Sequence, residues 1–225
     1  MSIRKKILAI SIGPVLVLGV ITLLFMLTMV KSSLMDEVQD ALKGTAAATL
    51  AAYDQNTGDY LESTNGDIWK GSYNISKSES LVDRIKENTG MDVTFFYGNK
   101  RIMTSALDKK GNRILGSEAG ERVVNQVIKG KKPFFSTNVS LDGTRNYGYF
   151  IPVYQNGTTD QVIGMVFVGT NKARKDAIVN KILGSIMMAL LVVMLLCIVT
   201  AMRMAASISK KYQKQCCCCR KTCRW

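Results

Sequence analysis

The sequence predicts an α+β domain: an antiparallel sheet with a long N-terminal helix, flanked by two transmembrane helices. Three observations carry this prediction. Two long runs, one near each end, hold no charge. Between them the apolar period changes from helical to strand-like. The strand-like part is punctuated by Asp-Gly and Asn-Gly pairs, which favour hairpin turns.

The uncharged runs are residues 7–30 (ILAISIGPVLVLGVITLLFMLTMV) and 182–202 (ILGSIMMALLVVMLLCIVTAM). A helix needs about 20 apolar residues to cross the hydrocarbon core, and both runs meet that length. The first is longer than the apolar core of a signal peptide, and no small-x-small cleavage site follows it, so a retained anchor is expected. Arg4, Lys5 and Lys6 precede the first run, and Arg203, Lys210, Lys211 and Lys214 follow the second. Basic flanks stay on the cytoplasmic side. Residues 1–6 and 203–225 are therefore expected inside the cell, and residues 31–181 outside it.

The outer segment reads as follows. KSSLMDEVQDALKGTAAATLAAYDQ continues the first helix, with Leu34, Val38, Ala41, Leu42, Ala48 and Ala52 as its apolar stripe and Gly44 as a weak point. SESLVDRIKENTG is a second helix, capped by Ser78 or Ser80, with Leu81, Val82 and Ile85 facing inward and Gly90 ending it. MDVTFFYGNKRIMTSAL is a hairpin around YGNK, and SEAGERVVNQVIKGK is a short helix. PFFSTNVSLDGTRNYGYFIPVYQNGTTDQVIGMVFVGTN holds three more strands, with LDGT and QNGTT as turns. NKARKDAIVNKIL leads as a helix into the second apolar run.

Composition excludes several function classes. The net charge is +13, yet all 17 acidic residues fall within 31–181, where 20 basic residues nearly balance them. The basic excess therefore sits in the terminal tails and not on a folded face, which argues against nucleic-acid binding. Histidine is absent, so the commonest general base and metal ligand are missing. No nucleophile motif or phosphate loop is present, and no enzyme activity, cofactor or metal is expected. Residues 31–181 contain no cysteine and hence no disulfide. Three glycosylation-type sequons, at Asn74, Asn138 and Asn156, read as chance occurrences.

TGMDVTFFYGNKRIMTSAL, VIKGKKPFFSTNVSLDGTRNYGYFIPVY and QVIGMVFVGT together resemble the single Cache (PAS-like) sensor domains of methyl-accepting chemotaxis proteins. The two-span layout fits the same resemblance. It implies a PAS-like sheet that closes a pocket for a small ligand, signalling through the membrane helices, and a homodimer. Related domains occur on histidine kinases, so the output module stays open; a membrane-anchored envelope scaffold is the alternative of a different class. The resemblance places the pocket on VTFFYGNKRIMTS, PFFSTNVS and RNYGYFIPVY. In carboxylate-sensing relatives an arginine of the segment matching KRIMTS binds the ligand. Lys100 and Arg101 stand there, with Thr104 and Ser105 as hydroxyl donors. Strand alternation groups Phe95, Tyr97, Arg101, Met103 and Ser105 on one side, and Phe96, Ile102 and Thr104 on the other. The residues implied to bind ligand are thus Tyr97, Arg101, Met103, Thr104, Ser105, Phe135, Tyr147 and Tyr149. The expected ligand is a carboxylate or an amino acid, because arginine holds a carboxylate through two parallel hydrogen bonds.

The chain ends KKYQKQCCCCRKTCRW, with five cysteines between Cys216 and Cys223 and only Cys197 before them. Adjacent cysteines do not reproduce the paired C-x2-C hairpins of zinc folds. Palmitoylation of juxtamembrane cysteines is a second reading. A third is a frameshift. Codons for Lys210–Trp225 can be chosen so that dropping one adenine near Lys210–Lys211 yields KSIKSSAVAVEKLADG. With the preceding AASIS, that peptide resembles the start of a HAMP linker. The expectation is a chain cut short after the second span.

Overall fold

The computed structural model describes residues 3–156 and 158–222, with side chains described from 12 to 208 except 157. The chain divides into two compact units, one of residues 1–34 and 178–225, the other Met35–Ala177.

The first unit is two helical segments. They belong to α1 (Ile3–Asp54) and α4 (Lys172–Thr222), both long and apolar enough to cross a membrane. Leu23, Met26 and Leu27 of α1 meet Leu183, Met187 and Leu190 of α4. Outside that seam, Val17, Val20, Ile21, Leu24 and Phe25 are exposed, as are Met188, Val192, Leu195 and Leu196. Apolar side chains left facing outward along two such helices fit a hydrocarbon solvent. The terminal cysteines fall where side chains are not described, and Cys223 lies outside the described residues altogether.

The second unit is the α+β domain. Three short strands, β1 (Tyr60–Glu62), β2 (Ile68–Lys70) and β3 (Tyr73–Asn74), form one small antiparallel sheet. Helix α2 (Glu79–Thr89) follows. The main sheet is β4 (Asp92–Tyr97), β5 (Lys100–Thr104), β6 (Phe134–Leu141), β7 (Thr144–Tyr154) and β8 (Val162–Asn171), in the order β5-β4-β8-β7-β6. Every pairing in it is antiparallel. Between β5 and β6 the chain forms α3 (Glu121–Val123), which passes into π-helical turns over Val124–Lys129.

The expected hairpin and three further strands are all present. The β6–β7 turn has positive φ at Asp142 (45°) and Gly143 (75°), the geometry that suits an Asp-Gly hairpin. The QNGTT turn includes residue 157, outside the described residues. The small β1–β3 sheet is an addition to the elements the sequence pattern predicts. The N-terminal helix also differs in detail. Gly44 does not interrupt it, and the buried positions are Leu42, Ala46, Thr49 and Tyr53, while Ala41 and Ala48 face out. The spacing of 4, 3 and 4 is that of one helix face; Leu42, Ala46, Thr49 and Tyr53 form it, and Ala41 and Ala48 are not part of it. Ser78 precedes α2, but its hydroxyl does not cap the helix. It meets the Tyr53 hydroxyl at 2.9 Å and donates to the Ile75 carbonyl at 2.7 Å.

The sheet is covered on both faces, and strand alternation sorts its side chains. On one face Val93, Phe95, Met103, Tyr147, Tyr149, Val166 and Val168 pack with Leu42, Ala46 and Tyr53 of α1 and Val82 of α2. On the other, Phe96, Phe150, Met165 and Phe167 pack with Ala106, Val127 and Leu141. Phe167 sits over two strand glycines. A Cβ at Gly148 would lie 2.5 Å from its ring, and one at Gly169 would lie 2.4 Å away. The absence of side chains at these paired positions makes the seat for that ring.

Candidate functional site

On the face away from α1 and α2 the sheet and the segment between β5 and β6 enclose a cavity of about 490 Å³. That volume is within the range of small-molecule pockets. Phe96, Phe150 and Phe167 supply its apolar surface. Ser136, Thr137, Asn138 and Ser140 of β6 supply polar groups. Glu118 and Arg122 enter from the connecting segment.

Arg101 is the cation built most firmly into this wall. Its main chain is held on both sides. β5 pairs with β4, and on its outer edge the Arg101 N–H donates to the Ser117 carbonyl at 2.9 Å while the Gly116 N–H donates to the Arg101 carbonyl at 2.9 Å. The residue is 8% exposed. Its guanidinium carbon lies 5.4 Å from the centroid of the Phe96 ring, a cation–π contact. Nη1 donates to the Ile114 carbonyl over a long 3.4 Å, and Nε is buried with no partner. Among the described residues no carboxylate lies within salt-bridge distance of Arg101. Burial pushes its pKa below the ordinary arginine value, and the Asp92 carboxylate opposes that shift only in part. A buried guanidinium with donors to spare is costly unless an acceptor arrives.

Simple alternation groups Arg101 with Met103, but the structure separates them. The β4–β5 register pairs Phe95 with Met103 and Phe96 with Arg101, so Ile102 is an extra residue in the ladder. This bulge turns Arg101 to the Phe96 side while Met103 stays with Phe95. Re-aiming a side chain is a common consequence of one inserted residue.

Of the residues implied by resemblance, Arg101 lines the cavity, and Phe135 borders it while packing with the core of the opposite face. Tyr97, Met103, Tyr147 and Tyr149 lie on the opposite face, in the core against the helices. Thr104 and Ser105 are engaged within the sheet. The Thr104 hydroxyl meets that of Thr94 at 2.7 Å, and the Ser105 hydroxyl accepts from the Val93 N–H at 2.9 Å. Lys100 and Arg145 are exposed. The polar residues of β6 lie in PFFSTNVS, a segment the resemblance assigns to the pocket although it singles out Phe135 there; Glu118 and Arg122 carry no such signal. The usable signal was topological: a chain that leaves one sheet edge and returns at the other must cross a face.

Residues 73–182 match the family model described as single cache domain 3. That segment carries a single Cache domain, and the long N-terminal helix, the antiparallel sheet and the second long apolar helix form a fold of Cache type. Among solved structures, the chain is similar to an extracellular ligand binding receptor from Desulfohalobium retbaense DSM5692, at 14% identity and a TM-score of 0.47. The match covers 67% of this chain and 26% of that one, so the chain spans about a quarter of its length. No curated protein matches the chain by sequence.

Proposed function

We propose that this chain is the sensing portion of a transmembrane chemoreceptor, which binds a small carboxylate, or an amino acid through its carboxylate, outside the cell. Both ends would lie in the cytoplasm, and the chain would act as a homodimer, with ligand occupancy biasing its apolar helices between two arrangements. The observation that carries the reading is the buried Arg101, facing a cavity of about 490 Å³ with Nε unpartnered. A carboxylate would accept from Nε and Nη together, replacing a long bond to Ile114 and an empty one with two short charge-assisted bonds. The Ser136, Thr137 and Asn138 side chains offer donors and acceptors for the rest of the molecule, and Glu118 would favour an ammonium over a second carboxylate beside it.

The test is calorimetric titration of the full chain in detergent with a panel of small carboxylates and amino acids, repeated with Arg101→Ala. Binding that is saturable in the wild type and weakened in the variant supports the reading. A ligand bound equally by both proteins removes Arg101 from the site.

A further inference from the structure

The cavity-lining strand β6 is tied to the first turns of α4 by two separate contacts. The first passes through aromatic rings. Phe135 borders the cavity from β6, while its ring packs with the core of the α1 face and stacks on Tyr147, with centroids 6.4 Å apart and planes inclined by 11°. The Tyr147 hydroxyl then donates to Asp176 of α4 at 2.6 Å. Burial, followed by that carboxylate, pushes the tyrosine up to about 12, so it remains a donor at neutral pH. The second contact is polar. Nζ of Lys172, the first residue of α4, donates to the Thr137 carbonyl at 3.2 Å and lies 5.3 Å from the Tyr147 ring centroid. Lys172 and Asp176 are four residues apart, on one helix face.

The strand is irregular at just this place. The β6–β7 register pairs Ser136 with Gly148 and Val139 with Asn146, so Thr137 and Asn138 together stand opposite Tyr147. Both line the cavity. The bulge thus puts two cavity residues against the single tyrosine that holds α4. It lies on an edge strand, paired on one side only, where a shift disturbs the fewest ladder bonds.

We infer that the β6 bulge links the cavity to α4, with Phe135 and Thr137 as its input and the Tyr147–Asp176 bond and Lys172 as its output. A group that displaces Phe135 or the Thr137 carbonyl alters the hold on the first two turns of the helix that continues into the second apolar segment. The signalling role rests on the cavity being the ligand site; the linkage itself does not, and it is tested without ligand.

The experiment is hydrogen exchange by mass spectrometry on the full chain in lipid nanodiscs, following the peptide that covers 172–180. Tyr147→Phe and Asp176→Asn should each speed exchange there about fivefold, the loss of one ordinary hydrogen bond, and the double variant should be no faster than either single one. Phe135→Leu, a change in β6 and not in α4, should speed the same peptide, and this effect should vanish on the Tyr147→Phe background. Phe135→Tyr keeps the ring and should exchange as the wild type does. Unchanged exchange at 172–180 in Phe135→Leu would overturn the inference, as would effects of Phe135→Leu and Tyr147→Phe that simply add. Exchange in β8 reports global folding in each variant; a rise there as large as that at 172–180 also counts against a specific link.

Discussion

Arg113 and Asp83 form a two-pronged ion pair. Nη1 donates to one carboxylate oxygen at 2.9 Å and Nη2 to the other, while Nη1 also donates to the Thr104 carbonyl at 2.7 Å. The pair ties the loop after β5 to α2, and the same loop runs on to Ser117, whose carbonyl receives the Arg101 N–H. The hold on the cavity's cation therefore begins one layer away, on a helix of the opposite face.

This pair makes stability depend on acid. Hydrogen bonding from Arg113 holds the Asp83 carboxyl below its ordinary value. A depressed carboxylate contributes stability that is present above its unfolded pKa and is lost as pH falls through the folded one. Thermal melting of the wild type should therefore drop more steeply than that of Asp83→Asn below about pH 4. Near neutral pH, Asp83→Asn should cost about 1 kcal/mol, because half-exposed pairs are screened by solvent. Parallel melting curves across acid pH would remove the pair from the stability balance.

Arg101 should weigh on stability in the opposite sense. Among the described residues its buried charge has no carboxylate partner, so Arg101→Met, close in volume, should raise the ligand-free melting temperature while weakening binding. Arg101→Ala should lose about 1.5–3 kcal/mol of affinity, the worth of a hydrogen bond to a charged group. Arg101→Lys should recover only part of it, since an ammonium lacks the planar fork. Paired melting and titration measurements check both statements, and a lowered melting temperature in Arg101→Met would contradict the first.

Gly148→Ala should disturb the cavity floor. The added Cβ would stand 2.5 Å from the Phe167 ring and 2.8 Å from Val139. Overpacking of this kind costs about 1–3 kcal/mol. Chemical denaturation should show a lower midpoint with an unchanged slope, as expected when stability alone changes.

Topology is open to direct labelling. In a background without the native cysteines, single cysteines at the exposed positions Lys110 and Asn156 should react with an impermeant thiol reagent on intact cells. Reaction at both sites only after lysis would place the Cache domain inside the cell.

Sequence pattern and structure agree where an apolar run is long and bounded by turns. VIGMVFVG is β8, the central strand, and it reads as a continuous apolar run because both faces are covered. β1 to β3 escaped notice because strands of three, three and two residues are too short to show a period. The orientation of Arg101 was illegible for another reason. One extra residue, Ile102, reverses the phase of everything before it in β5, and nothing in KRIMT announces a bulge. Arg122 and Glu118 owe their place to the path of a connection, which local pattern does not encode.

Both borders of the main sheet are interrupted. Along β5 the amide and carbonyl of Arg101 are taken by Ser117 and Gly116, with Lys100 bridged to Glu118. Along β6 the ladder is broken by the bulge, and Lys172 occupies the Thr137 carbonyl. An unpaired straight border is the usual template on which β-rich domains recruit one another into fibrils. Here residues that shape the cavity also interrupt that template, so the sheets of neighbouring copies are hindered from growing into one another.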